Sequence, residues 1–211
     1  MIETSTALTA DKRRAAWNAA GVSPLWENRL AHNGAVKAER PGLWPWATMK
    51  PLIDDAAAMN STDVVERRVL SLMGANAEAP GYPFTITNLN AGYQILLPGE
   101  VARPHRHSMN ALRFVLDGNG ADTVVDGKAC PMAEGDLILT PGWTWHEHIH
   151  NGSTPIVWLD VLDASLHRYL GTDAFEPGPP HDVPARTSDD AFAFANPVSY
   201  THLTLPTSDL V

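Results

Sequence analysis

The sequence predicts an all-β domain preceded by helices, and three observations carry that reading. From Val65 onward the 211-residue chain is written in short apolar runs broken by Pro98-Gly99, Asp117-Gly118, Asp126-Gly127, Glu134-Gly135, Pro141-Gly142 and Asn151-Gly152. That punctuation belongs to a sandwich or barrel. Before Val65 the texture differs, with a capped, alanine-rich stretch of helical character. His105 and His107 stand one residue apart, with His146 far downstream, and side chains two apart on a strand project to the same face.

Residues 5–20 read as a helix, since Thr9 can cap, Asp11 falls in the first turn, and Ala15, Trp17, Ala19 and Ala20 lead to Gly21. A second helix is expected to begin after Pro51 and run through Asp54 to Met59. Between them PGLWPWATMK reads as extended and aromatic-rich. Trp44 and Trp46 either line a pocket or, as large aromatics mostly do, pack under the barrel. Candidate strands are Arg68–Leu72, Phe84–Asn88, Gly92–Leu97, Ala111–Leu116, Asp122–Val125, Ala129–Pro131, Leu137–Leu139, Trp145–His150 and Ile156–Leu162, and His105 and His107 are placed on a strand as well. Asp126-Gly127, between TVV and KAC, suits a two-residue hairpin. A short helix is expected at Ala164–Leu170, and the EPGPPHDVP that follows reads as a linker.

Composition narrows the function classes. With 15 Lys and Arg against 24 Asp and Glu the net charge is −9, and no basic cluster exists to track phosphates, so nucleic acid is not an expected partner. The single cysteine, Cys130, excludes an intramolecular disulfide and fits a reducing interior, where a buried thiol is its ordinary role. MIETSTALTADKRR lacks an apolar signal core and no stretch approaches a membrane span. A cytoplasmic location away from membranes is expected.

The histidines carry the chemistry. His105 and His107 can take adjacent positions on one metal, and His146 from another strand would close a triangular face. Neutral imidazole binds Fe, Zn, Cu and Ni, and three protein ligands leave positions open for water, substrate or O2. The arrangement reads as catalytic.

Read on strands, the stretch from Gly99 to Asn151 resembles the two signature motifs of the cupin superfamily, through Gly99, His105, His107 and Gly118 in the first and Gly135, Pro141 and His146 in the second. The resemblance implies a cupin, or jelly-roll, β-barrel. The glutamate ligand that many cupins place after His-x-His is absent, with Ala111 and Leu112 there; Trp143 stands at a motif glycine beside Gly142, and His150 at a motif asparagine. With the arginine of ALRF and the tryptophans of PGWTWH, the chain resembles the gentisate 1,2-dioxygenase group, which includes salicylate and 1-hydroxy-2-naphthoate ring-cleaving enzymes. DTVVDGK, GDLILTP, IVWLDVLD and LWPW extend the similarity over most of residues 25–180.

That resemblance implies an Fe(II) enzyme using O2 to open the ring of a 2-hydroxybenzoate-type aromatic acid, built from two cupins in a chain that forms a homo-oligomer, a tetramer in the family. His105, His107 and His146 are the implied metal ligands. Arg113 is the implied partner of the substrate carboxylate, the alternative being an ion pair with a barrel carboxylate such as Asp160. His148 either hydrogen-bonds a substrate or O2-derived oxygen and moves a proton, or is a satisfied core residue. His150 reads as structural or exposed. Trp145 and Trp143 are candidates for stacking on substrate or for packing. Ala91 and Gly92 are small where substrate approaches, while Asn90 departs from the larger aromatics common there. Arg103 and Arg106 should face outward.

The expected organisation is an N-terminal helical and extended segment over 1–64, a cupin barrel over 65–163, and a helix and linker over 164–196 leading to a second cupin. PVSYTHLTLPTSDLV, over 197–211, resembles the translated end of a transposon-based sequencing adapter, the alternative being a natural tail. Two other functions share the triad. A Zn or Mn isomerase or hydrolase is disfavoured by the missing glutamate and the ALRF arginine. A non-catalytic cupin binding domain has no need to keep all three histidines.

Overall fold

The computed structural model describes residues 41–59, 61–74, 85–178 and 202–204, together with Asp11, Lys12, Ala15 and Ala19. The chain divides into two compact units, Met1–Ala38 and Glu39–Val211. In the first, the four described residues are helical; the remainder of the helix expected over 5–20 lies outside the described residues. No helix among the described residues is long and apolar enough to cross a membrane.

In the second unit, helices α1 (Trp46–Met59) and α2 (Thr62–Val65) precede β1 (Val69–Ser71), β2 (Asn90–Leu96), β3 (Val101–His107), β4 (Ala111–Asp117), β5 (Asn119–Val125), β6 (Lys128–Ala133), β7 (Asp136–Thr140), β8 (His146–His150) and β9 (Ile156–Leu162). Helix α3 (Ala164–Leu170), β10 (Phe175–Pro177) and β11 (His202–Thr204) follow. The strands form two antiparallel sheets, ordered β1-β2-β9-β4-β7-β11 and β10-β3-β8-β5-β6. This is the jelly-roll architecture expected from the sequence. Asp126 and Gly127 join β5 to β6 with positive φ at both positions, 45° and 83°, as a tight hairpin turn requires.

Alternation along the strands sorts side chains between interior and exterior. On β4, Ala111, Arg113 and Val115 are buried while Leu112 and Phe114 are half-buried, and on β8 the buried set is His146, His148 and His150. One end of the interior is apolar, with Leu96, Ala102, Val115, Ala121, Cys130, Met132, Ile138, Ile156 and Trp158 in one cluster. Beyond it the inward residues turn polar: Asp160 lies across from Gly92 on one side and Arg113 on the other.

The outer face of the larger sheet is covered by α1, whose buried Ile53 packs with Leu72, Tyr93, Ile95 and Val157, joined by Trp44 and Met49. The Trp46 ring meets Tyr93 edge-on, 6.1 Å between centroids. Both tryptophans therefore pack on the sheet, the second of the two expected roles.

Three local expectations are corrected. Helix α1 begins at Trp46, before Pro51, because the Pro45 carbonyl accepts the N–H groups of Thr48 at 2.9 Å and Met49 at 3.0 Å; only the start of PGLWPWATMK is non-helical. Phe84 lies outside the described residues, and Thr85–Asn88 form bends rather than a strand. Thr85 Oγ1 donates to Leu72 O at 2.7 Å and accepts from Ala91 N–H at 2.8 Å, so this segment is a pinned crossing between β1 and β2. Finally, the linker reading of EPGPPHDVP misses β10, in which Glu176 and Pro177 pair with β3. A proline is tolerated there because β10 is an edge strand.

His202–Thr204, within the segment that resembles adapter sequence, pair with β7. An open strand edge offers backbone donors and acceptors that accept an extended segment of almost any sequence.

Candidate metal centre

Pro104 gives β3 its geometry. Proline cannot donate to a ladder, and the pairing of β3 with β8 shifts register between Ala102 and His105. That irregularity lets Ala102, His105 and His107 all face inward, while Arg103 is exposed and Arg106 points outward as expected. His105 lies directly opposite His146. Ring centroids are 4.1 Å apart for His105 and His146, 4.8 Å for His107 and His146, and 5.2 Å for His105 and His107. One ligand atom from each buried histidine falls within 4.8 Å of the others, so the three can share one ion.

Backbone carbonyls orient the rings. His107 Nδ1 lies 2.9 Å from Met109 O, His146 Nδ1 3.0 Å from Thr144 O, and His105 Nδ1 3.4 Å from Arg103 O. A carbonyl can only accept, so the Nδ1 atoms of His107 and His146 carry the proton and leave their Nε2 lone pairs for a metal; at His105 the Arg67 guanidinium also meets Nδ1. His146 Nε2 is buried and has no hydrogen-bond partner. A buried acceptor left open is costly unless something fills it, and a divalent metal suits this all-nitrogen set. The residues fit the group.

Electrostatics keep the ligands neutral. Burial first, then the Arg67 charge and His107, lowers His105 to about 2; burial, with Arg113 and Arg67, lowers His107 to about 4. His146 and His148 are held well below the ordinary histidine value by burial and by Arg113. Neutral imidazoles are what metal binding needs.

Arg113 is buried, with Nε 3.1 Å from Asp160 Oδ1 and Nη1 donating to Thr140 Oγ1. The pairing with Asp160 weighed in the sequence is thus present, and it lies in the same interior as the histidines. His148 is not a fourth ligand: its ring is 6.3 Å from His146 and 5.0 Å from Trp158, and Thr123 Oγ1 lies 2.9 Å from its Nδ1. His150 is buried, with Nε2 2.7 Å from Thr154 O and Nδ1 accepting from Gly152 N–H. That satisfies both nitrogens, so its role is structural and it is not exposed.

Other expected contacts are not brought to the triad. Trp143 and Trp145 lie on the outside, their rings 4.5 Å and 4.7 Å from Arg106 Cζ. Ala91 packs with the outer cluster around Tyr93. Gly92 shares the row of Asp160 and Arg113, but Val69 Cγ1 sits 2.7 Å from where a Cβ would lie. The glycine thus admits β1 closely.

Two residues that contact the triad, and one buried polar residue of β2, were missed in the sequence. Arg67 reaches inward to contact His105 Nδ1 and donates to Arg103 O at 2.8 Å, while its neighbour Arg68 pairs with Glu100. Gln94 is buried on β2 with its Nε2 unpartnered. Phe175 of β10 stacks on His105, 5.3 Å between centroids at 29°. Inward parity on a strand could have found Gln94; nothing local marks Arg67 above Arg68.

A jelly-roll whose adjacent strands converge three histidines on one point defines a metal-binding cupin, and residues 92–162 match the Cupin domain family. That stretch is a cupin domain. The chain is similar to proteins named as dioxygenases: it is 46% identical over 154 residues to a gentisate 1,2-dioxygenase of Ralstonia sp, covering 70% of this chain and 42% of that one. It is 39% identical over 149 residues to a 1-hydroxy-2-naphthoate 1,2-dioxygenase of Nocardioides sp., covering 70% and 38%. The crystal structure of salicylate 1,2-dioxygenase from Pseudoaminobacter salicylatoxidans superposes with a TM-score of 0.74 at 29% identity, covering 99% of this chain and 57% of that one. The chain spans less than half the length of the two sequence relatives.

Proposed function

We propose that the protein is the metal-bearing part of a ring-cleaving dioxygenase that uses Fe(II) and O2 on gentisate or a related 2-hydroxybenzoate-type acid. The observation that carries this is a carboxylate-free triad of neutral histidines with two arginines beside it. Neutral ligands leave the full charge of a divalent ion uncompensated, which favours an anionic substrate with adjacent carboxylate and hydroxyl oxygens. Iron bound at His105, His107 and His146 would supply the electron transfer between substrate and O2.

The chain's own residues do the rest. Arg113 and Arg67 offer guanidinium donors to a substrate carboxylate, and such charge-assisted bonds position as well as attract. Asp160 and Thr140 hold the Arg113 fork in place. His148, neutral through burial and with its Nδ1 at Thr123, would donate to or accept from a reacting oxygen through its other ring nitrogen. Gln94 offers an amide donor whose partner would be substrate. Phe175 sits at the rim against His105, where an aromatic ring would pass. The buried thiol of Cys130 supports a reducing, cytoplasmic setting.

The test is to load the protein with Fe(II), add gentisate, salicylate or 1-hydroxy-2-naphthoate under air, and follow O2 uptake with the absorbance of a ring-opened product. Turnover with one of these is expected. Absence of turnover with all three, in protein extended to the length of its relatives and carrying iron, would overturn the assignment.

A further inference from the structure

Arg106 lies between two metal ligands in sequence, yet points away from them. Its guanidinium is sandwiched by Trp143 and Trp145, 4.5 and 4.7 Å from the ring centroids, and its Nε donates to Glu176 Oε2 at 2.7 Å. These partners come from the turn that leads into His146 and from edge strand β10, whose Phe175 stacks on His105. The same turn is tied to β3 through its backbone, since Trp143 N–H donates to His107 O at 2.6 Å. Close approach is possible because residue 142 is glycine; a Cβ there would sit 2.4 Å from Ser108 O.

Trp143 holds φ at 65°, a left-handed conformation unfavourable for a bulky residue and the reason a glycine suits this motif position. A strained turn persists only where its surroundings over-determine it. Here the indole lies on the Arg106 cation, a contact that rewards the strained conformation.

We propose that Arg106, clamped by Trp143, Trp145 and Glu176, is a positioning residue for the histidine centre: from outside the barrel it fixes the turn carrying His146 relative to the strand carrying His105 and His107. Without the clamp the turn relaxes, the metal-competent arrangement becomes a fraction of the population, and the apparent dissociation constant rises by the inverse of that fraction. This rests on the metal-centre reading, and the two fail differently.

The experiment is Co(II) titration of the full 211-residue chain, read by calorimetry and by the visible absorption of the bound ion. Arg106→Met removes the charge and keeps an unbranched apolar stem; it should bind Co(II) about 5- to 30-fold more weakly, as expected for losing two cation–π contacts, with an altered absorption band. Arg106→Lys should fall between wild type and Met. Trp145→Leu, which removes one face of the sandwich, should weaken binding by less than Arg106→Met. A residue that merely stabilises the surface would lower the unfolding midpoint and leave affinity and spectrum unchanged. That result in Arg106→Met overturns the proposal; should that variant not fold, the same result in Arg106→Lys and Trp145→Leu overturns it. A wild-type chain that binds no Co(II) defeats the metal reading instead.

Discussion

The two ends of the barrel interior are built by the same alternation and do opposite things. At one end Leu96, Val115, Ile138 and Ile156 are buried and apolar, so their contacts stabilise the fold without any ligand. At the other, His105, His107, His146, Arg113 and Asp160 are also buried, and several of their polar atoms lack hydrogen-bond partners. Polar burial without partners costs stability. The contrast separates residues that hold the barrel from residues that the barrel holds.

Substitutions at the two ends should therefore break different properties. The largest expected effect is at the polar end: His105→Ala or His146→Ala should lose metal and activity together, checked by metal analysis after gel filtration. The apolar counterpart, Ile156→Ala, should lower stability by about 2–5 kcal/mol in denaturant unfolding; the folded fraction should retain metal. Arg113→Ala joins both behaviours. It leaves Asp160 buried without its cation, a loss of about 3–5 kcal/mol, and in folded protein it should raise KM for substrate about tenfold or more while iron stays bound. Loss of iron in that variant would contradict the role given to Arg113.

Acid should expose the polar end next. His105 and His107 have folded-state values of about 2 and about 4, below the ordinary value near 6.5. The unfolded chain therefore binds more protons through that window, and stability must fall as pH drops. Stability of the metal-free protein should be complete above about pH 6.5 and decline steadily toward pH 4, followed by thermal melts. His146→Ala should show a shallower decline. The smallest effect is expected from Thr123→Val, which removes the partner of His148 Nδ1 and should cost about 1 kcal/mol, with activity reduced more than metal content.

Much of the polar end was legible in the sequence because its signals are local. The His-x-His spacing, Gly135 and Pro141 place the ligands on strands by parity alone, and the absence of a carboxylate at Ala111 and Leu112 is a matter of reading. Arg67 was not legible: it precedes β1, beside the similar Arg68, and only the tertiary fold turns one toward His105 and the other toward Glu100. Trp145 adjoins His146 in sequence, which makes it a candidate for stacking on substrate. Adjacent residues on a strand face opposite ways, and its ring lies on Arg106 outside the barrel. The start of α1 at Trp46 escaped because Pro51 reads as a helix boundary, whereas the Pro45 carbonyl already closes the first turn.

Above all, His105, His107 and His146 should bind one metal ion between them. X-ray absorption on the Fe(II)-loaded chain tests it most directly: one iron per chain with imidazole scattering is expected, and both should vanish in His146→Ala. Iron that stays bound at full stoichiometry in that variant, or a wild-type chain that takes up none, would contradict the account.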